Sequence, residues 1–116
     1  IGMQNKNVDE MSDFIIDEMC DFFKDRMKDF VVKDLVDDMN HKSFSIEFSA
    51  YDYFPIVFNY EMGRMGYSIC FGNRTVALDN SQKWWDEANF DVFFEELKEE
   101  LELRIPDKYL KAHGWM

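Results

Sequence analysis

A carboxylate recurs at almost every fourth position from Asp9 to Asp37. Cut into tetrads from residue 8 to residue 39, the chain reads VDEM, SDFI, IDEM, CDFF, KDRM, KDFV, VKDL, VDDM. Asp stands second in every tetrad but one, where Lys33 replaces it, and the fourth place is always apolar. Carboxylates spaced in this way can attract a basic surface, hold a cation or, with a raised pKa, move protons. Cation binding is the weaker reading. Asp34, Asp37 and Asp38 before Asn40 lack the central Gly and spaced ligands of a calcium loop. His41 and His113 stand far apart, and no His-x-x-x-His or Cys-x-x-Cys spacing exists for zinc. Acid–base work is not favoured either, because each carboxylate belongs to a regular row rather than to a pocket.

What remains is electrostatic attraction. Residues 8–21 carry Asp9, Glu10, Asp13, Asp17, Glu18 and Asp21 with no Lys or Arg among them. Like charges at i,i+4 cost a helix a few tenths of a kcal/mol per pair, and Asp is a poorer helix former than Glu. A helix selected for stability alone would interleave Lys, as residues 24–33 do. The ordinary alternative is the solvated face of an amphipathic helix. Asp9, Asp13, Asp17 and Asp21 are the leading candidates for contact with a partner, and Glu95 and Glu99 form a second acidic patch.

The remaining signatures of catalysis are missing. The chain has no Gly-rich phosphate loop, no nucleophile elbow and no assembled Ser, His and Asp set. His113 could serve as a base, but a surface or capping histidine is the commoner case. The chain is therefore read as a binding protein without metal or cofactor rather than an enzyme. An enzyme would show a deep pocket holding convergent polar groups.

The global properties agree with a binding role. A chain of 116 residues is one domain, expected to span 1–116 with residues 1–7 outside the packed body and Met3 as the natural start. An apolar fraction of 47%, with 12 Phe, 8 Met, 5 Tyr and 3 Trp, is too rich for a disordered acidic tail. The net charge of −11 disfavours nucleic acid and anionic membranes as partners and favours a basic protein. Solubility is the plainer explanation of that charge, though it requires less of it. Cys20 and Cys70 lie in apolar stretches and are expected as buried thiols in a reducing compartment. With no signal peptide and no run near the roughly 20 apolar residues of a membrane span, a cytoplasmic location is expected.

The elements that must position these residues follow from periodicity. Residues 8–39 have helical composition. A spacing of four drifts about 40° per step on an α-helix, so the apolar row cannot stay on one face. Val8, Met11, Ile15, Met19, Phe22 and Phe23 share one face with Phe14, whereas Met27, Val31, Val32, Leu35, Val36 and Met39 lie on nearly the reverse side. The spacing thus predicts a kinked helix pair over 8–24 and 27–39, or one long bent helix, with the switch at Lys24-Asp25-Arg26 and a stop at Asn40-His41-Lys42. A homodimer through this helical region is one way to cover its second apolar face. Four strands in an antiparallel meander follow, carried by Phe44, Ile46 and Phe48, then Phe54, Ile56, Phe58 and Tyr60, then Tyr67, Ile69 and Phe71, then Thr75–Leu78. Turns are expected at 61–64 and at Gly72-Asn73, and Asp79-Asn80-Ser81 ends the sheet. A helix begins near Asn89 or Asp91 with Phe90, Phe93, Phe94, Leu97, Leu101 and Ile105 on its apolar face. Pro106 ends it, and a short terminal helix closes at Gly114. The fold class is α+β, in two layers.

Among the aromatics, Trp84, Trp85, Tyr51, Tyr53 and Trp115 fall outside regular structure, where Trp and Tyr commonly anchor interfaces. Adjacent residues point apart, so at most one of Trp84 and Trp85 should be buried.

The acidic charge, the single α+β domain and the run FDVFFEELKEELELRIPDKYLKAHGW over residues 90–115 together resemble small bacterial immunity proteins. These neutralise toxins delivered by neighbouring cells, including those of contact-dependent inhibition systems. The group is diverse in fold, and no functional residue carries over from it. The resemblance implies a cognate toxin, often a basic nuclease, bound tightly at or near its active site. A second expectation is an acidic inhibitor that mimics nucleic acid through its spaced carboxylates and binds many nucleic-acid proteins instead of one toxin.

Overall fold

The computed structural model describes residues 7–71, 73–78 and 83–116. Asn7 opens the first helix, α1 (Val8–Phe23), through a reciprocal cap: its side chain accepts the Glu10 N–H at 2.8 Å and its own N–H donates to Glu10 Oε1 at 3.2 Å. Val8, Met11, Ile15, Met19 and Phe23 bury one face of α1, as its periodicity requires. The helix stops where Lys24 adopts φ 54°, and one 3-10 turn (Lys24–Arg26) follows.

The next segment departs from the expected helix pair. Residues 27–38 are a strand, β1 (Met27–Asp38), joined by a tight turn to β2 (His41–Ala50). The reversal of the apolar face near residues 24–26 therefore marks the end of a helix, not a kink within one. Two β-bulges explain why β1 imitates helical spacing. Lys28 pairs with Ser49 and Val31 with Glu47, so Asp29 and Phe30 together oppose Phe48. Lys33 pairs with Ser45 and Val36 with Ser43, so Asp34 and Leu35 together oppose Phe44. Opposite the core row of β2 stand Met27, Phe30, Val32 and Leu35, spaced three, two and three rather than two throughout. Asp29 (φ 61°) and Asp34 (φ 53°) take the left-handed conformation at the bulges, which Asp tolerates better than most residues. Asp34→Gly is expected to leave stability unchanged or raise it, whereas Asp34→Ala lowers it by about 1 kcal/mol, measured by urea unfolding.

The sheet continues through β3 (Phe54–Glu61), β4 (Arg64–Phe71) and β5 (Arg74–Ala77), antiparallel and in sequence order. A two-residue β6 (Lys83–Trp84) also pairs with β4, giving six strands where four were expected. The additions are the bulged β1 and this short β6. The four expected runs all lie in strands or at their ends, and the 61–64 turn is present with Gly63 at φ 94°. The expected turn at Gly72-Asn73 and the break at Asp79-Asn80-Ser81 fall on or next to positions outside the described residues.

Helix α2 (Phe90–Glu102) is capped by the Asn89 side chain, which accepts from Val92 N–H at 3.2 Å. The short α3 (Asp107–Ala112) follows Pro106, and Gly114 at φ 75° lies just beyond it. All three helices contribute to one core with the inward sheet row of Phe44, Ile46, Phe48, Ile56, Phe58 and Tyr67. The architecture is α+β in two layers, with the opposite sheet face open.

Three core tyrosines make the fold sensitive to alkali. Burial raises the Tyr51 phenol well above its ordinary value, and the Glu102 carboxylate, 2.6 Å from its hydroxyl, adds to the effect. Burial alone raises Tyr67, whose hydroxyl donates to Met19 Sδ at 3.9 Å, and burial is the main cause at Tyr60. A phenol with a folded pKa above its unfolded one gives stability that is complete below about pH 10 and lost as pH rises through the folded value. Unfolding free energy is therefore expected to fall above about pH 10. Phenolate absorbance should show these three tyrosines ionising only as the chain unfolds.

Candidate partner-binding site

Apart from Glu10, which closes the N-terminal cap, the carboxylates of α1 are displayed, not used within the fold. Asp9, Asp13, Asp17 and Asp21 are all exposed, and among the described residues no ion pair engages them or Glu18. The last turn of α1 has no basic residue, and only Lys24 Nζ approaches there, donating to the Asp21 carbonyl at 3.2 Å.

Helix α2 sorts its carboxylates. Glu96, Glu100 and Glu102 pair with Lys83, Arg104 and Lys98 at 3.3, 2.8 and 3.5 Å. Asp91, Glu95 and Glu99, spaced four apart on the solvent side, are exposed and have no ion pair among the described residues. The two helices touch through Phe14–Phe90 and Phe22–Phe94 ring contacts, each with centroids 5.5 Å apart. These contacts advance along both helices together, so α1 and α2 run in the same sense. Both bury their apolar faces on the same side of the sheet, so both free acidic rows point outward from one helical layer. Two patches that are about 70 residues apart in sequence thus share one surface.

The two tryptophans separate as the alternation of side chains requires. Trp85 is 2% exposed and packs edge-on against Tyr60, Phe14 and Phe90, so it presents no surface to a partner. Trp84 is 51% exposed, with the Arg64 guanidinium 5.4 Å from its ring centroid. Gly63 lies against the same ring; a Cβ there would sit 3.5 Å from it. Beside Trp84 is a depression of about 540 Å³ floored by the small residues Gly66, Ser68 and Ala77. A second, of about 720 Å³, lies between Asp29, Glu47, Asp52, Tyr53 and Pro55. The remaining loop aromatics lock the C-terminus down. Tyr109 donates its hydroxyl to the Tyr51 and Asp52 carbonyls at 2.9 and 3.0 Å, and Trp115 Nε1 donates to Asp25 at 3.2 Å.

Among the described residues, no group of three or more His, Cys, Asp or Glu side chains is placed to hold a metal ion. Neither is any helix long and apolar enough to cross a membrane. His113 stacks between Tyr109 and Trp115 at 4.1 and 5.0 Å, and its Nδ1 lies 2.9 Å from the Tyr109 carbonyl, which makes it part of the C-terminal clasp. Cys20 and Cys70 are both free thiols, but neither is buried as expected: Cys20 is exposed on α1 and Cys70 is half-buried.

No protein-family model, curated protein or solved structure matches the chain.

Two features of the surface escaped the sequence. One is the union of the α1 and α2 rows, which depends on tertiary packing. The other is the position of β1 at the edge of the sheet, hidden because the bulges disguised the strand.

Proposed function

We propose that the protein is an inhibitor that binds a basic protein through the outer surface of its helical layer, in the manner of an immunity protein for a cognate bacterial toxin, with a nuclease domain as the favoured class of target. The observation that carries this reading is the pair of unneutralised rows, Asp9-Asp13-Asp17-Asp21 and Asp91-Glu95-Glu99, both displayed on the one helical layer. Such a surface speeds encounter with a basic partner. Desolvated contacts then hold the complex, with Val92 (52% exposed) on α2 and Leu103 (80% exposed) at its C-terminal cap as apolar candidates beside the acids. The bound protein blocks the partner's substrate by occupying its basic surface.

The test is co-purification with the C-terminal domain of the protein encoded by the adjacent upstream reading frame, a domain that this reading requires to be basic. A salt-sensitive stoichiometric complex that abolishes the domain's activity is the expected result. Failure of the pair to associate at low salt contradicts the reading, and equal affinity for unrelated nucleic-acid proteins would move it to the mimicry class.

A further inference from the structure

Among the described residues, strand β1 is the outermost strand on its side of the sheet, and β2 is its only hydrogen-bonded neighbour. Among the described residues, no backbone group of β1 bonds elsewhere. An open edge is a template for another strand, and proteins commonly blunt such edges with charges and bulges. Here both devices are present, in Lys28, Asp29, Lys33, Asp34, Asp37 and Asp38 and in the two bulges. The edge nevertheless exposes Val31 at 49%, Val32 at 36% and Leu35 at 39%. Protection alone does not explain three partly uncovered apolar side chains between the charges.

What lies above this edge identifies the occupant. Helix α1 runs back along β1: its last residue joins the start of the strand through the 3-10 turn, and the N–H of Val8 at its other end reaches the Asp37 carboxylate. Phe14, on one flank of α1, faces α2 through Phe90. At about 100° per residue, Asp9, Asp13, Ile16 and Cys20 fall on the opposite flank, over the β1 edge. The open edge is therefore roofed by free carboxylates. A second copy of this chain, with a charge of −11, would bring two such flanks together and be repelled. A basic strand would be attracted.

We propose that β1 accepts an extended Lys- or Arg-bearing segment of the basic partner as an added strand. Main-chain hydrogen bonds run to the β1 edge, cations on one face of the added strand lie beneath Asp9 and Asp13, and apolar side chains on its other face lie beside Val31. This inference rests on the reading of the acidic layer given above and adds to it the mode of docking.

The test uses isotope-labelled protein titrated at low salt with two synthetic heptapeptides of equal charge. In one, Lys alternates with Val; in the other, Lys alternates with Pro, which cannot donate to a ladder. The expected result is amide perturbation and slowed hydrogen exchange along residues 28–38 with the Lys-Val peptide alone. Its affinity should exceed that of the Lys-Pro peptide at least fivefold, and Val31→Lys should remove about fivefold by setting a charge in place of the apolar neighbour of the peptide's Val side chains. Equal binding of both peptides, with perturbations confined to α1 and α2, overturns strand addition and leaves the acidic-surface reading standing. No binding of either peptide overturns both. Self-association through β1 in the absence of peptide also overturns the proposal.

Discussion

Trp85→Ala is expected to lower the unfolding free energy by about 3–5 kcal/mol, while Trp84→Ala, one residue away, costs less than about 1 kcal/mol. The difference follows from what each ring touches. Trp85 is 2% exposed and wedged between Tyr60 on the sheet, Phe14 on α1 and Phe90 on α2, so its loss opens a cavity at the junction of three elements. Among the described residues its indole N–H has no hydrogen-bond partner, so truncation forfeits packing. Trp84 loses a half-exposed ring and one contact with a cation. Urea unfolding of the two variants, with the near-ultraviolet dichroism of each, measures the contrast directly. Similar costs at both positions would mean that the aromatic junction does not organise the core.

The second large effect is kinetic. Reversing Asp9, Asp13, Asp17 and Asp21 to Lys is expected to slow association with a basic partner about 100-fold at low salt, and the difference should shrink as salt screens the field. The fold should survive, because all four side chains are exposed and, among the described residues, no ion pair holds them. Asp13→Lys alone sharpens the point. Its new cation meets Asp9 and Asp17 one turn away on either side and should raise helix stability by a few tenths of a kcal/mol. A substitution that strengthens the fold and weakens association separates a functional charge from a structural one. An unchanged association rate would remove α1 as the steering surface and leave Asp91, Glu95 and Glu99 to carry it.

Local rules made much of the fold legible. The apolar faces of α1 and α2, the Asn89 cap, the Pro106 break and the alternating runs of β2, β3 and β4 all express a single period or a single capping residue. Residues 27–38 defeated the same reasoning for a specific reason. Bulges at Asp29-Phe30 and Asp34-Leu35 stretch a period of two toward the helical period, and the Asp row crosses the boundary between helix and strand without a break. Left-handed Asp29 and Asp34 show that one residue type serves two purposes, as a solvated charge on α1 and as a bulge former in β1. Val31, Val32 and Val36 were the available signal for a strand, since β-branched residues favour extended backbone. The acidic residues were each visible in the sequence, but their assembly was not: it depends on Phe14 and Phe22 meeting Phe90 and Phe94, a contact no spacing encodes. The helical region through which a dimer was expected shrinks to α1 for the same reason. Met11 and Met19 face the protein's own sheet, and residues 27–38 are not helical.

The central claim is that the acidic helical layer captures a basic protein. Its most direct measurement is the stopped-flow association rate between this protein and the C-terminal domain of its upstream genomic neighbour, which the proposal requires to be basic, taken across a range of ionic strength. The account predicts a rate that falls steeply with salt for the native chain and is about 100-fold lower and nearly flat after Asp9, Asp13, Asp17 and Asp21 are reversed. A rate that is independent of salt, and the same for both proteins, would contradict it.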